Sequence, residues 1–159
     1  MYRMPRLAPV LILVAVGVAG CGGSGPATNR QTFVAQADPI CKQVSVERTT
    51  ANAAVSKASP SKTKELAVLA RVAPGVASDE RQAVVRLRTL TPPSSLSSDW
   101  HVLLTGMQQL ASDATQVAAD AKANEFKDAE TVTSSGRHLR EQLTAIAARD
   151  GFTYCGRTS

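Results

Sequence analysis

Residues 100–121, WHVLLTGMQQLASDATQVAADA, set Trp100, Leu103, Leu104, Met107, Leu110, Ala111, Ala114, Val117 and Ala121 on a single helical face. An apolar stripe that keeps its phase over about six turns predicts a long amphipathic α-helix with one buried side. Ser97 or Ser98 is the expected cap.

The same spacing recurs in three other segments. Upstream, Asp38 and Pro39 read as an N-cap and first helical residue, and Phe33 and Ala37 share the stripe of Ile40, Val44, Ala51 and Val55, so the helix can begin a turn or more earlier. It should stop near Ser59-Pro60, with Ser59 able to cap the next segment. There Leu66, Leu69, Ala73, Val76, Ala83, Leu87 and Leu90 stay in phase across Pro74-Gly75, which predicts one kinked helix rather than two, ended by Thr91-Pro92-Pro93-Ser94. After Asn124, the residues Ala129, Val132, Gly136, Leu139, Leu143, Ile146 and Ala147 form a last stripe, and Gly151 supplies a left-handed stop. Phe152 can fold back on that final turn.

Four amphipathic segments joined by short connections favour antiparallel neighbours. The expected fold is all-α: an up-and-down four-helix bundle with a kinked second helix. A composition of 43% hydrophobic but only 4% aromatic residues suits such packing better than a β-sandwich. With 159 residues, one domain is expected. The formal charge of +5 falls to +3 when Arg3 and Arg6 of the N-terminal segment are removed (5 − 2 = 3), and the remaining bases are scattered, which argues against a nucleic-acid partner.

Met1–Arg6 is short and basic, and Leu7–Ala19 is an apolar run of about 13 residues, enough for a signal-peptide core but short of the ~20 needed to span a bilayer. The run ends in Val18-Ala19-Gly20-Cys21, which resembles the lipobox of bacterial lipoproteins. The resemblance implies diacylglyceryl transfer to the Cys21 sulfur and cleavage before it by signal peptidase II. The mature domain would then be anchored by lipid to the cell membrane, on the extracytoplasmic side. The implied organisation is a signal peptide over 1–20, a lipidated cysteine and Gly/Ser-rich tether over 21–30, and a helical domain over 31–159.

Lipidation of Cys21 leaves Cys41 and Cys155 as an even pair in an oxidising compartment, and a disulfide joining the C-terminal tail to the first helix is expected. Three stretches, FVAQADPIC at Phe33–Cys41, LRTLTPP at Leu87–Pro93 and GFTYCG at Gly151–Gly156, are similar to small helical lipoproteins common in actinobacteria. That resemblance implies fold and compartment, and no functional residue.

Candidate chemistry is sparse. Gly136-Arg137-His138-Leu139-Arg140-Glu141 contains G-x-H-x-x-E, similar to a metal-associated signature of imelysin-like envelope proteins. On a helical wheel, though, His138 lies about 130° and Glu141 about 170° from the stripe centre, so both should be solvated. The other histidine, His101, is about 130° off its own stripe. Asp99 beside His101 cannot form an orienting pair from spacing alone, Met107 reads as core, and Asp113 and Asp120 read as surface carboxylates. No P-loop, dinucleotide fingerprint, H-E-x-x-H or nucleophile elbow occurs. The expected function is a non-catalytic envelope binding or interaction module, needing no cofactor and able to meet another envelope protein. The alternative is a metal or small-ligand carrier using His138 and Glu141.

Overall fold

In the computed structural model, residues 29–156 are described, and they form four helices: α1 (Arg30–Ala58), α2 (Lys62–Leu87), α3 (Ser97–Ala123) and α4 (Phe126–Arg149). A single 3-10 turn, Ser94–Leu96, leads into α3. Cys21, the lipobox and most of the tether lie outside the described residues. Each helix packs on the next in sequence, α1 on α2, α2 on α3 and α3 on α4. Directions alternate: Arg30 at the start of α1 bonds to Asp150 at the end of α4, while Lys62 at the start of α2 sits over the ring of Phe126 at the start of α4. The expected up-and-down bundle is therefore present. Among the described residues no helix is long and apolar enough to cross a membrane.

α1 begins earlier than Asp38-Pro39 suggests. Its cap is Asn29, whose Oδ1 accepts the Thr32 N–H at 2.7 Å, and Pro39 lies inside the helix. The extra turns persist because Phe33 and Ala37 are fully buried, and that burial outweighs the one hydrogen bond that Pro39 cannot donate. α2 also runs unbroken through Pro74, but its cap is Ser61, since Ser59 already ends α1. α3 has no side-chain cap: Ser97 is its first residue and the 3-10 turn provides the entry.

Both later helices end in Schellman motifs. At α4, Gly151 (φ +83°) lets its own N–H reach Ala148 O at 3.1 Å and the Phe152 N–H reach Ala147 O at 2.9 Å. At α3, Asn124 (φ +62°) has the same role, with Glu125 N–H donating to Asp120 O at 2.9 Å. Phe152 does not stop at the last turn of α4. It enters the core, 6.0 Å from the Phe33 ring and 5.7 Å from the Trp100 ring, and Phe33 meets Trp100 edge-on at 4.7 Å.

After this aromatic cluster the chain runs back between α1 and α4. Cys155 bonds to Cys41, as expected, with 4.8 Å between their Cα atoms. Asp38, freed from capping, accepts the Thr153 N–H at 2.9 and 3.0 Å and the Tyr154 N–H at 3.0 Å. Gly156 lies so near α4 that a Cβ would stand 2.5 Å from Leu143 O, and Thr144 Oγ1 donates to its carbonyl. Asp38→Ala removes the acceptor for two tail amides and is expected to cost about 1 to 2 kcal/mol, since hydrogen bonds to a charged group are the stronger kind but these are partly solvated. Faster amide exchange at Thr153 and Tyr154 than anywhere else in the variant would register it; unchanged exchange there would count against the assignment.

The core is uneven along the bundle. Its larger cluster, around Phe33, Leu87, Trp100, Leu103 and Leu143, draws on all four helices and the tail. Toward the other end lie two small, alanine-rich clusters, around Leu66, Ala121 and Ala129 and around Ala73, Val117 and Ala118, with no buried residue from α1. The last buried residue of α1 is Arg48. The backbone of α1 approaches α2 closely, whereas α1 and α4 stand farther apart.

Candidate functional site

His138 and Glu141 lie on the outer face of α4, as the helical wheel indicated. They pair with each other, Nδ1 to Oε2 at 3.5 Å, with 74% and 58% of their side chains exposed. No third donor converges on them: among the described residues no group of three or more His, Cys, Asp or Glu side chains could hold a metal ion. His101 is likewise exposed on α3, and Asp99 turns away from it to meet Arg149 at 2.5 Å. Met107 is core.

The two carboxylates read as surface groups are not on the surface. Asp120 is buried at the end of α3, its Oδ1 accepting from Gln116 Nε2 at 2.6 Å. Asp113 is half-buried and faces the bundle interior, because α3 there lies under the gap that α1 leaves against α4.

Around that gap charged groups from all four helices come near one another. Each helix contributes a group: Arg48 from α1, Glu80 from α2, Asp113 from α3 and Arg140 from α4. Arg48 Nη2 donates to Glu80 Oε1 at 2.5 Å, with only 9% and 1% of the two side chains exposed. The second oxygen, Glu80 Oε2, has no hydrogen-bond partner among the described residues. Burial pushes the Glu80 carboxyl above the ordinary carboxylate range, opposed by the neighbouring Arg48 charge and hydrogen bond and, more weakly, by Arg140. Burial likewise lowers Arg140, and Arg48 lowers it further.

Asp113 and Arg140 flank Gly136. A methyl at that position would come to 3.4 Å from Asp113 Oδ2 and 3.7 Å from Arg140 Nη1, so the bare backbone leaves the two groups their space. Asp113 Oδ1 is taken by Gln109 Nε2 at 2.8 Å. The Arg140 guanidinium makes no hydrogen bond or ion pair among the described residues.

Glu80, Asp113 and Arg140 border a pocket of about 100 Å³ between the four helices, walled otherwise by Asn52, Thr133 and mostly apolar side chains such as Val55, Leu69, Val76 and Val132. Val55, Leu69 and Thr133 also line a neighbouring pocket of about 280 Å³ near Phe126, with Glu65, Glu130 and Arg137 beside it. The two pockets together form a cleft with Glu80, Asp113 and Arg140 among its walls.

Sequence reading passed over Arg48, Glu80 and Arg140, although one signal was present. Arg48 follows Val44 by four residues, Glu80 lies between Ala77 and Ala83, and Arg140 lies between Gly136 and Leu143, so each interrupts or adjoins an apolar stripe. A charge on the buried side of a helix requires a partner or a ligand. Comparison with protein-family models, curated proteins and solved structures finds no match for this chain.

Proposed function

We propose that this chain is a lipid-anchored, extracytoplasmic binding module without catalytic activity, whose ligand enters the cleft between α1 and α4. The observation that carries the anchor is the lipobox-like Val18-Ala19-Gly20-Cys21 at the end of the apolar run Leu7–Ala19. The paired Cys41 and Cys155 fit an oxidising compartment. The tether joins α1 at the end stiffened by Phe33, Trp100, Phe152 and the disulfide, so the loosely packed end with the cleft is the one farther from the attachment point. A binding role is favoured over catalysis because the acids and histidines do not form a nucleophile–base set: His101 and His138 are exposed on separate helices, and Asp99 is held by Arg149.

The full chain, expressed in a bacterial host with labelled palmitate, is expected to incorporate label and partition into the detergent phase. Cys21→Ala is expected to lose both properties. Wild-type protein that stays unlabelled and in the aqueous phase would defeat the anchoring proposal.

A further inference from the structure

We infer that the cleft binds a short-chain aliphatic carboxylate, with the carboxylate on the Arg140 guanidinium and the hydrocarbon along the valine and leucine walls. The inference rests on the binding-module reading and names its ligand class. Four observations support it.

The first is the state of Arg140. A half-buried guanidinium presents five N–H donors in a planar fork suited to a carboxylate, and here none of them has an acceptor among the described residues. A carboxylate could fill that fork with two charge-assisted hydrogen bonds.

The second is that each neighbouring carboxylate already has one oxygen in a hydrogen bond. Glu80 Oε1 is held by Arg48 at 2.5 Å, and Asp113 Oδ1 by Gln109 at 2.8 Å. Among the charged groups that line the pocket, Arg140 is the one whose side chain makes no hydrogen bond to a described residue, and Arg48 nearby adds positive potential.

The third is the wall. Apart from the charged groups, the inner cavity is lined mainly by alanine, valine and leucine, which favours a ligand with an apolar body over a bare inorganic anion. The fourth is size. Since a dry cavity of about 150 Å³ accommodates benzene, one of about 100 Å³ takes roughly four to six heavy atoms, the scale of butyrate. A longer chain would extend along Val55, Leu69 and Thr133 toward the neighbouring pocket, so hexanoate should bind more tightly than butyrate.

The test is calorimetric titration of the purified full-length chain in detergent micelles, against micelles alone, with sodium butyrate, sodium hexanoate, sodium sulfate and butylammonium chloride. Hexanoate is expected to bind most tightly and butyrate several-fold more weakly, with sulfate and butylammonium giving no saturable heat. Arg140→Met is expected to weaken hexanoate at least tenfold, and Arg140→Lys less. Thr133→Leu, which fills the throat without removing a charge, is expected to weaken hexanoate more than butyrate and covers the case in which Arg140→Met does not fold. His138→Ala is expected to bind as wild type. Absence of carboxylate binding, sulfate or butylammonium binding as tight as hexanoate, or unchanged affinity in folded Arg140→Met would overturn the inference. Palmitate labelling reads the anchor independently: a labelled chain that binds no carboxylate refutes the ligand alone, and an unlabelled chain that binds one refutes the anchor alone.

Discussion

Cys155→Ser is expected to lower the free energy of unfolding by about 4 to 5 kcal/mol on the chain-entropy model, because the bridge closes a loop across 114 residues of sequence separation. Small domains are stable by about 5 to 15 kcal/mol, so this is a large share of the total. Loss of the bridge also frees the tail that holds Phe152 against Phe33 and Trp100, and with it the only covalent link between α1 and the far end of the chain. Cys41→Ser should behave alike, since either change opens the same loop. Urea titration of oxidised wild type against each variant measures the loss, and near-ultraviolet circular dichroism of Trp100 reports whether the aromatic cluster loosens before the helices melt. A loss below about 1 kcal/mol would mean that the Asp38 and Gly156 contacts hold the tail without the bridge.

Glu80→Leu is expected to cost about 3 to 5 kcal/mol, the scale for removing one partner of a buried ion pair and leaving the other charge in a dry site. The double variant Arg48→Met/Glu80→Leu should be far less destabilised than the sum of its two single changes, because no uncompensated charge remains and the new side chains extend the apolar layer. Additive losses would show that the pair is not energetically coupled. The same carboxyl predicts a pH signature. Its folded pKa stands above the ordinary 4.5, so the folded chain holds that proton more tightly than the unfolded chain. Stability from this group is therefore fully present below 4.5 and is lost as pH rises through the folded value. Glu80→Gln should remove that slope from the acid side of the stability profile while leaving an oxygen for Arg48 to bond.

The candidate site was harder to read from sequence than the helices. Helical stripes repeat, so Leu103, Met107, Leu110 and Leu143 announce their burial many times over. A charged residue on such a stripe announces only that something unusual faces it. Arg48 and Glu80 are 32 residues apart and meet solely because α1 and α2 run antiparallel in one register. His138 and Glu141 drew attention through a local motif, but a helix carries that motif equally well on its solvated side.

Sequence by itself determined the four helices, their antiparallel order and the pairing of Cys41 with Cys155, because each follows from local periodicity, connection length or cysteine number. It also carries the lipobox-like signal at Cys21, which depends on adjacent residues alone. Only the tertiary structure decided that α1 begins at Arg30, that Asp38 receives the tail rather than capping a helix, and that Phe152 completes an aromatic cluster. It also decided that α1 and α4 stand apart, with Arg140 among the residues that line the pocket between the helices. The physical reason is that burial and hydrogen-bond partnership are properties of several elements at once. The tail occupies the α1–α4 seam at one end, so the two helices are held apart, and the cleft is what remains of that separation beyond the tail.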